Sequence, residues 1–219
     1  MALQIHQVSS ERVRDELTRI LTEGQAARGI KMLEESGLRA QILPELQWTT
    51  HIERSLEFLE RALPADFGIG VLLHHTPGTD VQRIVERLKF SRAEMHHIEA
   101  LVENLPRFSE VHQMTISTLK RFFRVDRFDD HLELARIHAL ASGEQLVDYT
   151  YALRKWKEWS HEEIWPRPLV TGNDLIAMGF EPGPRFKEML TRIEDEQLEG
   201  RLTTSEHALE FVRRNFRPI

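Results

Sequence analysis

The stretch Gly172–Leu190, GNDLIAMGFEPGPRFKEML, sets apolar residues at helical spacing between two glycine turns and a Pro-Gly-Pro element. Leu175, Ile176 and Met178 fall on one short turn of helix, and Phe186, Met189 and Leu190 recur three and four residues apart. Thr171 or Asn173 can cap a helix that stops near Gly179. Pro182 and Pro184 stand where a second helix begins, because a proline in the first turn loses no helical hydrogen bond. The amides of that first turn have no partner inside the helix. The element is therefore either plain punctuation or a backbone site for an anion, where free amides and the helix dipole meet a phosphate.

The same spacing extends outward through nearly the whole chain, and runs of alternating polarity are almost absent. This predicts an all-α fold of about ten to twelve helices. Ser9 and Ser10 open a helix carrying Val13, Leu17, Ile20 and Leu21, which Gly24 ends. ARGIKMLEES stops at Gly37, QILPEL makes a proline turn, and THIERSLEFLERAL runs to Pro64. FGIGVLLHH, VQRIVERLKF and SRAEMHHIEALVENL follow, the last capped by Ser91. SEVHQMTISTLKRFF, DDHLELARIHALAS and EQLVDYTYALRKWKEW read as three longer helices. The two prolines of EEIWPRPLVTG make the clearest break. The expected architecture is an elongated multi-helix bundle with a small helical tail domain: residues 1–46, then 47–165, then 166–219.

The 219 residues are 41% hydrophobic, enough for a packed core. No apolar run reaches the roughly 20 residues of a membrane span, and MALQIHQVSSERVRDEL lacks a signal-peptide core, so a cytoplasmic protein without a membrane partner is expected. Cysteine is absent, which removes disulfides, thiolate metal sites and cysteine nucleophiles. The net charge of −6 argues against a surface that attracts nucleic acid everywhere. Local basic patches remain: in TLKRFFRVDR, Lys120, Arg121, Arg124 and Arg127 surround Phe122 and Phe123, as an RNA surface or as a solvated helix end beside core aromatics.

Eleven histidines are many for this length. His51 opens one helix, His74 and His75 close another, and His138 lies further on. Neutral imidazoles gathered from separate helices suit a transition metal. A hydrolytic metal site also needs carboxylates, and none occupies these apolar segments, so the sequence assigns no metal and leaves these four residues as the candidates. There is no GxxxxGK[ST] loop, GxSxG elbow or HExxH helix. Asp129, Asp130 and Glu194 to Glu196 read as solvated acidic faces, and Trp156, Trp159 and Trp165 as packing between bundle and tail.

Several segments together resemble the C-terminal neck, body and tail of the bacterial tRNA nucleotidyltransferase and poly(A) polymerase family, the CCA-adding enzymes. SSERVRDELTRIL is similar to a neck motif of the form RIxxEL, with Arg12, Val13, Glu16 and Leu17 in its positions. AARGIKMLEESGLRAQILPEL follows in the family's order, with Gly37, Leu38, Leu43 and Pro44 in place. The tail, PLVTGNDLIAMGFEPGPRFKEMLTRIEDEQLEGRL onward, resembles the family's terminal module, where a G-x-D-L…G…PGP…L pattern leads into a helix and a QLEG turn. The middle looks like an HD-type helical domain with departures. His51 matches the first histidine and His74 the second, but His75 stands where the pattern has aspartate, and in RIHALASG His138 occupies the later aspartate position.

The resemblance implies an RNA-binding module that holds the acceptor and T arms of tRNA for 3′-end nucleotide addition. Lys120, Arg121, Arg124, Arg185 and Lys187 are the expected RNA contacts, mainly to phosphate and sugar. It also implies no catalytic residues and no cofactor in this chain. Magnesium and nucleoside triphosphate belong to the family's catalytic head, whose motifs this sequence lacks, and that head or a dimer partner is expected to complete the protein. Two other readings stay open: a metal-dependent HD-type phosphohydrolase with a histidine-rich site, and a headless relative serving as a protein-interaction scaffold.

Overall fold

A computed structural model describes residues 8–59 and 63–217. Among them are fourteen α-helices and no strand, so the all-α expectation holds. They pack as two compact units. Unit 1 takes the chain up to residue 109 together with 126–152, and unit 2 takes 110–125 together with 153 onward. The neck-like segment thus packs inside unit 1, and the proline break at 165–168 lies inside unit 2. Among the described residues no helix is long and apolar enough to cross a membrane.

In unit 1, α1 (Ser10–Thr22), α2 (Ala26–Glu35) and α3 (Leu38–Ile42) lead into α4 (Thr50–Glu57). α5 (Ala65–Leu73), α6 (Gly78–Arg87), α7 (Arg92–Asn104) and α9 (Phe128–Ser142) complete it. Local chemistry sets the helix starts. Ser9 and Thr49 accept the amides of Arg12 and Ile52, and Ser91 forms a capping box with Glu94. Every residue of α5 from Asp66 to Leu73 is buried, so its pattern is apolar all round. It is the central post, touching α1, α4, α7 and α9. Two of its glycines permit close approaches: a Cβ at Gly70 would lie 2.7 Å from Leu101 Cδ1, and one at Gly68 would lie 3.2 Å from Leu21 Cβ.

Unit 2 contains α8 (Ile116–Phe122), α11 (His161–Ile164), α12 (Gly172–Ala177), α13 (Pro184–Leu198) and α14 (Ser205–Asn215). It also holds the second half of α10 (Val147–Glu158), whose first half belongs to unit 1. The helix expected over SEVHQMTISTLKRFF is much shorter than its apolar spacing suggests. A 3-10 turn covers Leu105–Glu110, and α8 begins only at Ile116, where Thr115 Oγ1 accepts the Thr118 amide. One core of unit 2 is built from Val170, Leu175, Phe180, Met189, Ile193, Leu202, Ala208 and Val212. A second aromatic group sets Phe123 against Trp156 and Trp159, with ring centroids 5.7 and 5.6 Å apart, and Trp156 against Trp165. All three tryptophans therefore pack within unit 2.

Candidate functional site

The basic residues expected to meet RNA divide into two kinds. Lys120 is 8% exposed, donates to the Leu198 carbonyl at 3.1 Å and lies 5.0 Å over the Trp159 ring. Burial lowers its pKa from the ordinary lysine value. Arg121 pairs with Glu194 at 2.6 Å and with Asp195, and Arg124 pairs with Glu194 at 2.6 Å while donating to the Ile164 carbonyl at 2.7 Å. Desolvation works to raise the Glu194 pKa, yet the two guanidinium groups hold it below the usual carboxylate range. These three cations clamp α8 onto α13 by charge-assisted bonds. Glu194 and Asp195 are therefore partners in this clamp, a correction to their reading as a solvated face. Glu196 likewise pairs with Arg201, and Asp130 with Arg127 in unit 1.

Arg185 and Lys187 differ. They sit in the first turn of α13, with Lys187 exposed and Arg185 half-buried, and among the described residues neither is held in an ion pair or hydrogen bond. The N-cap, Gly183, supplies no side-chain bond to the first amides, and Pro184 is the first helical residue. Pro184 carries no N–H and the Phe186 amide bonds the Gly183 carbonyl at 2.9 Å, so in this first turn the Arg185 amide is the one without an intrahelical acceptor. α12, just before it, is opened by a Thr171–Asp174 capping box, so Thr171 is the cap rather than Asn173. An adjoining groove of about 630 Å³ is lined by Pro166, Val170, Phe186, Lys187 and Leu190 among others. In α1, Arg12 and Glu16 are exposed, and Glu16 lies 3.4 Å from Arg19.

Unit 1 brings together what the sequence left scattered. His51 from α4, His74 and His75 from the end of α5, and His138 from α9 each direct a ring nitrogen to one point, all within 4.8 Å of one another. His51 Nε2 lies 3.0 Å from His74 Nε2. His74 Nδ1 is 2.6 Å from the Val71 carbonyl, and Ser142 Oγ is 3.4 Å from His51 Nδ1. Desolvation lowers the pKa of all four rings, His74 to about 3 and His51 to about 4, with mutual repulsion adding at His51, His74 and His138. All four are thus neutral at physiological pH. A cavity of about 400 Å³ opens beside His74, His75 and His138, with Glu144, Asp148 and Tyr149 on its wall. Sequence reasoning found the four histidines but not Ser142 or the Val71 carbonyl, which carry no signal of their own.

Two protein families share segments of this chain. Residues 1–49 match the family described as "Probable RNA and SrmB- binding site of polymerase A", and residues 69–212 match "tRNA nucleotidyltransferase domain 2 putative". The A-adding tRNA nucleotidyltransferase of Halalkalibacterium halodurans is 33% identical over 119 residues, 54% of this chain and 24% of that protein. The CC-adding tRNA nucleotidyltransferase of Thermus thermophilus is 27% identical over 242 residues, 92% of this chain and 56% of that protein. In fold, the chain is similar to the Thermotoga maritima CCA-adding enzyme complexed with tRNA, with a TM-score of 0.59 at 17% identity, covering 96% of this chain and 52% of that one. The chain thus spans between a quarter and just over half of the relatives it matches.

Proposed function

The chain belongs to the tRNA nucleotidyltransferase domain 2 family, and on that premise we propose that it is the part of such an enzyme that grips tRNA while nucleotides are added to the 3′ end. Transfer itself is assigned to a catalytic head carrying Mg²⁺ and nucleoside triphosphate, and the setting to the cytoplasm. The observation that carries the reading is the start of α13. A 15-residue helix begins here with the Arg185 amide lacking an intrahelical acceptor, together with Arg185 and Lys187, two cations not engaged by the protein's own carboxylates. Phosphate is the group such a site favours, and an A-form acceptor arm presents it by shape rather than by sequence. Lys120, Arg121 and Arg124 serve the same grip indirectly, by fixing α8 against α13. The net charge of −6 requires that the attraction be local.

Binding of a labelled acceptor–T-arm minihelix, measured across a salt series, tests this. The chain is expected to bind with an affinity that falls as salt rises, because neutralised phosphates release counterions. Replacing Arg185 and Lys187 with alanine is expected to weaken binding and to reduce the salt slope by about 1 for each phosphate that is no longer neutralised. Arg121→Ala is expected to lower the stability of unit 2 with little change in that slope. Absence of salt-sensitive binding would sink the reading.

A further inference from the structure

We propose that the four clustered imidazoles of unit 1, His51, His74, His75 and His138, form a mononuclear site for a late first-row divalent metal such as Zn²⁺ or Co²⁺, tying α4, α5 and α9 together. The proposal is independent of RNA binding. Its ground is geometric. Tetrahedral zinc with nitrogen ligands at about 2.0–2.1 Å separates those nitrogens by about 3.3 Å. Here His51 Nε2 and His74 Nε2 are 3.0 Å apart, and no pair among the four exceeds 4.8 Å. Drawing in the widest pair takes about 0.7 Å of movement from each ring. The exposed His75 and half-buried His51 have room for it.

The surroundings set the lone pairs correctly. His74 Nδ1 donates its proton to the Val71 carbonyl, which leaves Nε2 unprotonated and aimed at the cluster. Without metal, His51 Nε2–H must then be the donor to His74 Nε2, since two lone pairs cannot bond. With metal, the His51 proton moves to Nδ1, where Ser142 Oγ at 3.4 Å can accept it. His138 Nδ1 is a buried nitrogen without a hydrogen-bond partner. Such a group costs free energy unless something satisfies it.

The donor set also decides which metal. An HD-type pattern would supply carboxylates at the positions of His75 and His138, and a set with oxygen donors suits Mg²⁺ or Mn²⁺. Four neutral imidazoles do not fit those ions and do fit Zn²⁺, Co²⁺, Ni²⁺ or Cu²⁺. The cavity beside His74, His75 and His138 provides the entry path.

The test uses the untagged chain, stripped with chelator and titrated with Zn²⁺, Co²⁺ and Mg²⁺ separately. One Zn²⁺ or Co²⁺ per chain is expected, with the visible bands of four-coordinate Co²⁺, a raised thermal midpoint, and no comparable response to Mg²⁺. His75→Ala and His138→Ala are each expected to weaken binding at least tenfold, since even the loss of a group that only supports a ligand costs about 10–100-fold. His96→Ala, an exposed histidine outside the cluster, is expected to leave binding unchanged. Circular dichroism confirms that each variant is folded, and the exposed His75 keeps the test valid if a buried position does not tolerate change. Failure to bind Zn²⁺ or Co²⁺ at micromolar concentration, or binding that survives both cluster variants, would overturn the proposal.

Discussion

Unit 1 is expected to lose stability steeply as the pH falls from about 7 to 5, well before most carboxylates titrate. His131 in α9 is 1% exposed, and burial, with His97 adding repulsion, lowers its pKa to about 4. The unfolded chain titrates the same ring near 6.5, so between those values the unfolded state holds a proton that the folded state refuses. The stabilisation is therefore complete above the unfolded pKa and drains away as the pH drops toward the folded one. One such imidazole contributes a slope approaching about 1.4 kcal/mol per pH unit, or about 2 kcal/mol by pH 5. In chelator, His74, which burial brings to about 3, adds a similar amount, while the half-exposed His51 adds less. Urea midpoints measured in chelator from pH 8 to 4.5 would show the decline, and His131→Gln should flatten it by about one proton. A midpoint that stays level between pH 7 and 5 would contradict this account.

The second large effect lies where α5 packs on α7. On an exposed helix, replacing glycine with alanine gains about 0.5–1 kcal/mol. At Gly70 the sign should reverse, because the new Cβ meets Leu101 Cδ1 at 2.7 Å and Leu101 Cβ at 3.5 Å, and Leu101 is fully buried. Overpacking of this kind costs about 1–3 kcal/mol. Gly70→Leu, which inserts a whole side chain where one carbon already collides, is expected to abolish the cooperative unfolding of unit 1. Gly78 at the start of α6 has nothing within 4 Å of its would-be Cβ. Gly78→Ala is therefore the control, expected to be neutral or stabilising in the same thermal melts.

These two effects mark where sequence reading ends. The all-α class and most helix starts were legible because apolar spacing and capping residues are local signals, as at Ser9, Ser91 and Thr171. The stretch before α8 was misread because Val111 and Met114 continue a helical spacing that the 3-10 turn and the Thr115 cap interrupt. The family was legible from the neck and tail segments, which fall within matched residues 1–49 and 69–212. The histidines were legible as residue types, but not their convergence within 4.8 Å, which depends on three helices meeting. The basic patch showed its charge and concealed its partners, since Glu194 and Asp195 lie more than seventy residues beyond Arg121.

That last separation has a consequence for the order of synthesis. α8 leaves the ribosome as a short helix with the apolar residues Leu119 and Phe122, capped by Phe123, and a lysine destined for burial. The carbonyl that Lys120 meets is 78 residues away. At about 5–20 residues per second, roughly 4–16 seconds pass before that acceptor has even been made. During the interval the α13 side of α8 must stay unpaired or borrow transient cover. A ribosome stalled within α13 would leave this segment with Trp156 and Trp159 already made but without its α13 partners Glu194, Asp195 and Leu198, and chaperone capture should concentrate there.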